Sequence, residues 1–319
     1  MILRTDEEQG LAFSVSPETG GELASLRVRW GEKWVELLHR AEDFSAPAQG
    51  HWRGRAPWLF PAVGRSYTNK QLGSWEWEGT VRPMPIHGFV MERAWEKVTE
   101  EQEEYSRERK PEMTVCRFRS GTDTRSAYPF DFSLTARYGF VKGGVRARLE
   151  VSAARTNAGP MPFSLGNHLS FALPFGSGSR PGDCTVRSPA RERLELSAQG
   201  LLTGRERPIR LGKATALASE PDFCNAVLGG FEKGECWVEV ADPRSFGLRI
   251  SQSEVTASGA SPHAEAASYL FVFYGSLGEQ FFCPEPWLGG PNSLNDGQRL
   301  TRLEPGGRFE WEMTVQILR

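Results

Sequence analysis

The chain has 319 residues, enough to bury a large core, and its 38 basic and 40 acidic side chains leave a formal net charge of -2. That balance gives no global attraction to nucleic acid or to an anionic membrane, so neither is expected as a partner. Five cysteines, at 116, 184, 224, 236 and 283, are odd in number and scattered. Their spacing supports neither a disulfide framework nor a thiolate metal site, and it suits the reducing cytoplasm.

Taken in chain order, the N-terminal MILRTDEEQGLAFSV carries three acidic residues early and no basic stretch leading into a long apolar run. No secretory signal is expected there, and no continuous apolar segment approaches the length of a bilayer span. LAFSV and LRVRW alternate apolar with polar residues and read as the first strands. Residues 40 to 80 are rich in glycine, proline and aromatics without sustained alternation, which predicts long ordered loops. TVCRF and LTARY resume the alternation. In VRARLEVSA, residues Val145, Ala147, Leu149, Val151 and Ala153 share one face. Residues 174 to 193 are turn-rich and charged and read as a surface excursion. LELSA, CWVEV, FGLRI and YLFVFYG follow as short strands, and FEWEMTVQI closes the chain with Phe309, Trp311, Met313, Val315 and Ile317 on one face. No helical periodicity extends over a convincing length and no repeat is visible. An all-β, antiparallel protein forming one unit over residues 1–319 is the economical solution.

Three side chains stand out chemically. Glu285 lies between two prolines in FFCPEPWLGG, after an apolar run that carries it toward the interior. His87 is stiffened by Pro85 and followed by Gly88, and His168 lies in GNHLSF at the start of a short apolar stretch. An imidazole and a buried carboxylate make an acid/base pair when they meet, but each of these groups also reads as an ordinary hydrogen-bonded side chain, and the residues leave both readings open. The histidine spacing contains no metal-binding motif; a distributed metal site would have to draw on His51, His87 and His168. Neither a Walker loop, a dinucleotide fingerprint nor a hydrolase elbow is present. Among the tryptophans, Trp77 and Trp95 read as core, whereas Trp287 follows Glu285 closely enough to suggest a face for a sugar ring.

The ordered blocks RAPWLFPAVGR (55 to 65), PMPIHGFVMERAW (83 to 95), AGPMPFSLGNHLSFALP (158 to 174) and FFCPEPWLGG (281 to 290), joined by YPFDFSLTARY, resemble the aldose 1-epimerase family of the galactose mutarotase-like superfamily. The resemblance implies a large antiparallel β-sandwich that interconverts the α and β anomers of an aldose, with no cofactor and no metal, as a monomer or homodimer in the cytoplasm. It implies that Glu285 is the general base at the anomeric hydroxyl and His168 the general acid at the ring oxygen. His87, Arg65, Asp222 and Trp287 are then expected to bind the sugar.

Two departures bear on specificity. The HPYF-like string usual after the acid histidine reads HLSF here, with Leu169 and Ser170, and Gly64 stands before Arg65 where an asparagine is common. A sugar phosphate would need further cations, for which Arg53, Arg82 and Arg93 are candidates. A free aldohexose is expected ahead of a hexose 6-phosphate, and a carbohydrate-binding protein without turnover is the non-enzymatic alternative.

Overall fold

Alternation decides which side of each strand meets another layer, and the chain uses it twice. In the computed structural model, which describes residues 1–40, 54–99, 113–255 and 266–319, the strands form two large sheets and a four-stranded sheet, besides three two-stranded pairs. Among the described residues every strand pairing is antiparallel, apart from one isolated parallel bridge between Phe60 and Gly88.

The nine-stranded sheet is centred on Gly144–Ala153 and Arg308–Leu318, two of the segments with the clearest alternation. Their register sets Val145 against Val315, Ala147 against Met313 and Leu149 against Trp311, all buried. The same register puts the charges of the other face opposite one another, and Arg148 Nε meets Glu312 at 2.6 Å. The sequence pattern therefore orients this sheet from both sides.

The second sheet has the order Leu202–Pro208, Glu192–Leu196, Asn225–Gly229, Tyr269–Ser276, Phe281–Leu288, Leu165–Asn167 and Trp58–Leu59, with Phe171–Ala172 also paired to Phe281–Leu288. A single cluster of buried side chains joins the two sheets, and Trp58 from one meets Trp311 from the other edge-on at 6.0 Å. The helical segments among the described residues are only three or four residues long, and none is long and apolar enough to cross a membrane.

FFCPEPWL is a strand at the middle of this sheet although it contains two prolines, which cannot donate to a ladder. On one side it pairs along its whole length with Tyr269–Ser276. On the other side it has partners only near its ends, Leu165 and Gly166 at one and Phe171 and Ala172 at the other. Pro284 and Pro286 lie in the interval between, where the neighbouring chain leaves the ladder.

Of the loop region expected from 40 to 80, residues 41–53 lie outside the described residues, and the part from 54 to 80 is mostly irregular, with two small hairpins, Tyr67–Thr68 with Gln71–Leu72 and Ser74–Trp77 with Thr80–Pro83. We predict that Trp58→Ala, which empties the contact between the two sheets, lowers unfolding free energy by about 3–5 kcal/mol. Urea denaturation measures this, and a loss below about 1 kcal/mol would mean that the sheets do not depend on that contact.

Candidate active site

The face of Phe281–Leu288 that carries Cys283, Glu285 and Trp287 is the one turned away from the core side chains Phe271 and Phe273. Val272 stands opposite Glu285, and with Leu194, Val227, Leu270 and Trp287 it makes a second, smaller apolar cluster around the carboxyl group. Glu285 is consequently 1% exposed.

His168 enters from the interrupted side of the strand. Its N–H donates to the Pro57 carbonyl at 3.0 Å and that of Ser170 to the Arg55 carbonyl at 2.9 Å, so residues 168 to 170 pair with the 55 to 57 segment rather than with the prolines. This detour brings His168 Nε2 to 3.2 Å from Glu285 Oε1, with His168 5% exposed. Burial pushes the Glu285 carboxyl well above the usual carboxylate range, although Trp287 Nε1–H donates to its Oε2 at 3.1 Å. Burial, and after it the neighbouring His87, holds the His168 imidazole well below its ordinary value. Both shifts favour a pair with one exchangeable proton and no net charge.

His87 reaches the pair from a tight loop. Its φ of +65° and that of Gly88, +76°, are both left-handed. At Gly88 a Cβ would come 2.0 Å from the Phe60 carbonyl oxygen, so only glycine fits that turn. The His87 ring lies edge-on to His168 and to Trp287, with centroids 5.5 Å away in each case. Its Nδ1 accepts the Gly64 N–H at 3.2 Å, which leaves the ring proton on Nε2. Desolvation, then the Arg65 charge, lowers its pKa to about 4, so at neutral pH His87 is an uncharged N–H donor. Ligand atoms of His87, His168 and Glu285 lie within 4.8 Å of one another, close enough for a cation. A metal-bound histidine normally donates through its second nitrogen, whereas the Nδ1 of His87 accepts, so the donor set suits oxygen atoms of a neutral ligand better than a metal.

The remaining sugar-binding expectations fall differently. Arg65 is exposed beside His87, with Nη1 3.3 Å from the Gln199 carbonyl oxygen. Trp287 was expected to offer its face to a ligand, but the indole is 4% exposed and instead packs among aliphatic side chains and donates to Glu285. Asp222 is not brought to this group. It lies in the short turn Pro221–Cys224, its side chain 73% exposed and 3.6 Å from Arg193. The adjacent Phe223 packs on Phe273, on the core face of the sheet opposite to Glu285. His51 and Arg53 lie outside the described residues. Tyr274, which the sequence reading passed over, stands two residues from Val272 on the Glu285 face, 45% exposed with its ring 6.0 Å from His168. The alternation in YLFVFYG carried that signal.

A family profile described as aldose 1-epimerase matches residues 2–313. No curated protein matches the chain in sequence. Among solved structures, the Slr1438 protein of Synechocystis sp. PCC 6803 is 22% identical, with a TM-score of 0.76 over 99% of this chain and 95% of that one. A galactose mutarotase related enzyme of Lactobacillus acidophilus is 18% identical, with a TM-score of 0.77 over 100% and 98%. The galactose 1-epimerase of Lactobacillus acidophilus NCFM is 13% identical, with a TM-score of 0.67 over 98% and 92%. At these identities the likeness is one of fold.

The depressed His87 imidazole makes stability depend on pH. Between about 6.5 and about 4 the unfolded chain binds a proton that the folded chain refuses. Stability from this group is therefore fully present above pH 6.5 and is lost as pH falls toward 4. We predict that His87→Gln shrinks the stability difference between pH 7 and pH 4 by up to about 3 kcal/mol. Denaturant unfolding at the two pH values measures it, and an unchanged difference would refute the shift.

Proposed function

The chain belongs to the aldose 1-epimerase family, and from that premise we propose that it interconverts the α and β anomers of a free aldohexose by acid/base-catalysed ring opening. The observation that carries this reading is the contact between His168 Nε2 and Glu285 Oε1, 3.2 Å apart in a buried site. Ring opening of a hemiacetal removes a proton from one oxygen and adds one to another oxygen on the same carbon. An acid and a base for that task must therefore be neighbours. The carboxyl pairs of glycosidases stand about 5 Å apart or more and solve a different problem.

In the proposed cycle the anomeric hydroxyl faces Glu285 and the ring oxygen faces His168 Nε2. The polar sugar offsets part of the desolvation and favours the ion-pair arrangement, carboxylate with imidazolium, which contains the same number of protons as the uncharged pair. Glu285 takes the hydroxyl proton, the C1–O5 bond breaks as C1=O forms, and His168 gives its Nε2 proton to O5. Rotation about C1–C2 exposes the other face of the aldehyde, and the reverse transfers close the ring and restore both groups. His87 Nε2–H holds a sugar oxygen without competing as an acid. Arg65 and the exposed face of Tyr274 suit the hydroxyls and the ring.

Two observations favour a free sugar over a sugar phosphate. Arg82 is committed to the Ser126 carbonyl at 3.0 Å and Arg93 to Asp123 at 2.7 Å, so neither is held ready for a phosphate. A buried titratable pair also carries a desolvation cost that binding alone gives no reason to maintain, which favours turnover over a purely binding role.

We predict that the protein accelerates equilibration of fresh α-D-glucose or α-D-galactose, followed by polarimetry. Glu285→Gln and His168→Asn should each lower kcat by about a hundredfold or more. The pH profile should be bell-shaped. Its acid limb, where a second proton enters the pair, should lie below the ordinary imidazole value of about 6.5, and its alkaline limb above the ordinary carboxyl value of about 4.3. Full activity of Glu285→Gln on the best substrate would defeat the mechanism.

A further inference from the structure

We infer that Ser170 is a positioning residue for the proposed acid/base pair: its hydroxyl fixes which nitrogen of the His168 ring carries the proton, so that Nε2 faces Glu285 with a lone pair. This rests on the reading of His168 and Glu285 given above, and it assigns a task to one of the two residues at which this chain departs from the family's usual string.

Ser170 is fully buried beside the ring. Its Oγ lies 3.0 Å from the carbonyl oxygen of His168 and 3.4 Å from His168 Nδ1. A hydroxyl has one proton to give and two lone pairs to receive with. The carbonyl can only accept, and it is the nearer of the two, so the proton goes there. The oxygen then presents a lone pair to Nδ1, which must be the N–H. The Cys283 thiol, which burial keeps protonated, also lies within reach of the hydroxyl.

A neutral imidazole has only one N–H. With that proton on Nδ1, Nε2 is free to accept from the Glu285 carboxyl at 3.2 Å. The opposite tautomer would point a ring N–H at Oε1, which could accept it only with the carboxyl proton moved to Oε2, the atom that already takes the Trp287 N–H. Ser170 therefore keeps the exchangeable proton on the line between Glu285 and His168 Nε2, the line along which the proposed reaction moves it. The backbone reinforces this, because the Ser170 N–H is held by Arg55 O and its carbonyl by the His39 N–H, at 2.9 and 2.7 Å.

The test compares the full-length protein with Ser170→Ala, which removes one oxygen atom and leaves the backbone contacts. Ring 15N chemical shifts of His168 report the tautomer without any need for turnover. They should show Nδ1–H at neutral pH in the unaltered protein and a shift toward Nε2–H in the variant. Polarimetry on the best aldohexose should show kcat lower by about tenfold, the worth of one hydrogen bond, with KM little changed. Both readouts must move together. Nε2–H in the unaltered protein, a variant with an unshifted tautomer, or a shifted tautomer with undiminished kcat would each overturn the inference. If no sugar is turned over at all, the proposed function fails while the 15N shifts still decide the role of Ser170. Should Ser170→Ala not fold, Ser170→Cys, close in volume and a weak hydrogen-bonding group, is read by the same two measurements.

Discussion

The site depends on a hydrogen-bond vacancy built into the middle of a sheet. Pro284 and Pro286 have no N–H, so the strand that carries them can satisfy one neighbour along its length but not two. The chain after Asn167 leaves the ladder at that place and returns at Phe171, and the residues in between, His168 and Ser170 among them, pair with the 55 to 57 segment instead. Glu285 stands between the two prolines, where a side chain from outside the regular ladder can reach it. The prolines thus do more than stiffen the chain around a carboxylate. They open the gap through which its partner arrives.

The segment that receives the detour is itself braced by a second buried carboxylate. Glu22, on the four-stranded sheet, meets Arg55 Nη1 at 2.6 Å, and burial still raises its pKa to about 8 against the pull of that guanidinium. Leu23 bridges to Ala56 next to it. An ion pair this deep is a doubtful source of stability, since desolvation rivals the attraction, but breaking it would leave a charge stranded beneath the 54 to 57 turn. The position of His168 is therefore tied to the four-stranded sheet as well as to its own. Burial raises the pKa of both carboxyl groups. At Glu22 a fixed cation offsets it only in part. At Glu285 the answer is a proton shared with a histidine, which leaves the group able to titrate.

Two expectations failed for reasons of packing. Trp287 alternates onto the same face as Glu285, and proximity in sequence made it resemble a ligand platform. The apolar neighbours Leu194, Val227 and Leu270 on adjacent strands claim its ring, and only the indole N–H is left for the carboxylate. Asp222 sits in a turn whose Phe223 is drawn into the core, and its exposed carboxylate meets Arg193 instead of the His168–Glu285 pair. In both cases a neighbouring strand or an adjacent residue decided the orientation, and neither is visible along the local sequence. Tyr274 is the converse. Its place on the reactive face follows from counting by twos from Val272, and it becomes a candidate contact only when Glu285 is seen opposite that valine.

The sequence alone determined the class of fold and the strands that build it, because period-two alternation at Val145–Ala153 and Phe309–Ile317 specifies which face is buried whatever the partner strand is. It also singled out His87, His168 and Glu285, since each sits among prolines and glycines that restrict the local chain. Alternation contains no information about which strands become neighbours. The meeting of His168 with Glu285, more than a hundred residues apart in the chain, was decided by the order of strands in the sheet. The protonation states followed from that, because a pKa is set by the density and charge of whatever surrounds a group in space. The Gly64 N–H on His87 Nδ1 and the Ser170 hydroxyl on His168 Nδ1 likewise exist only once the loops have closed on one another. Tertiary contacts turned three legible side chains into an arrangement with an assigned proton.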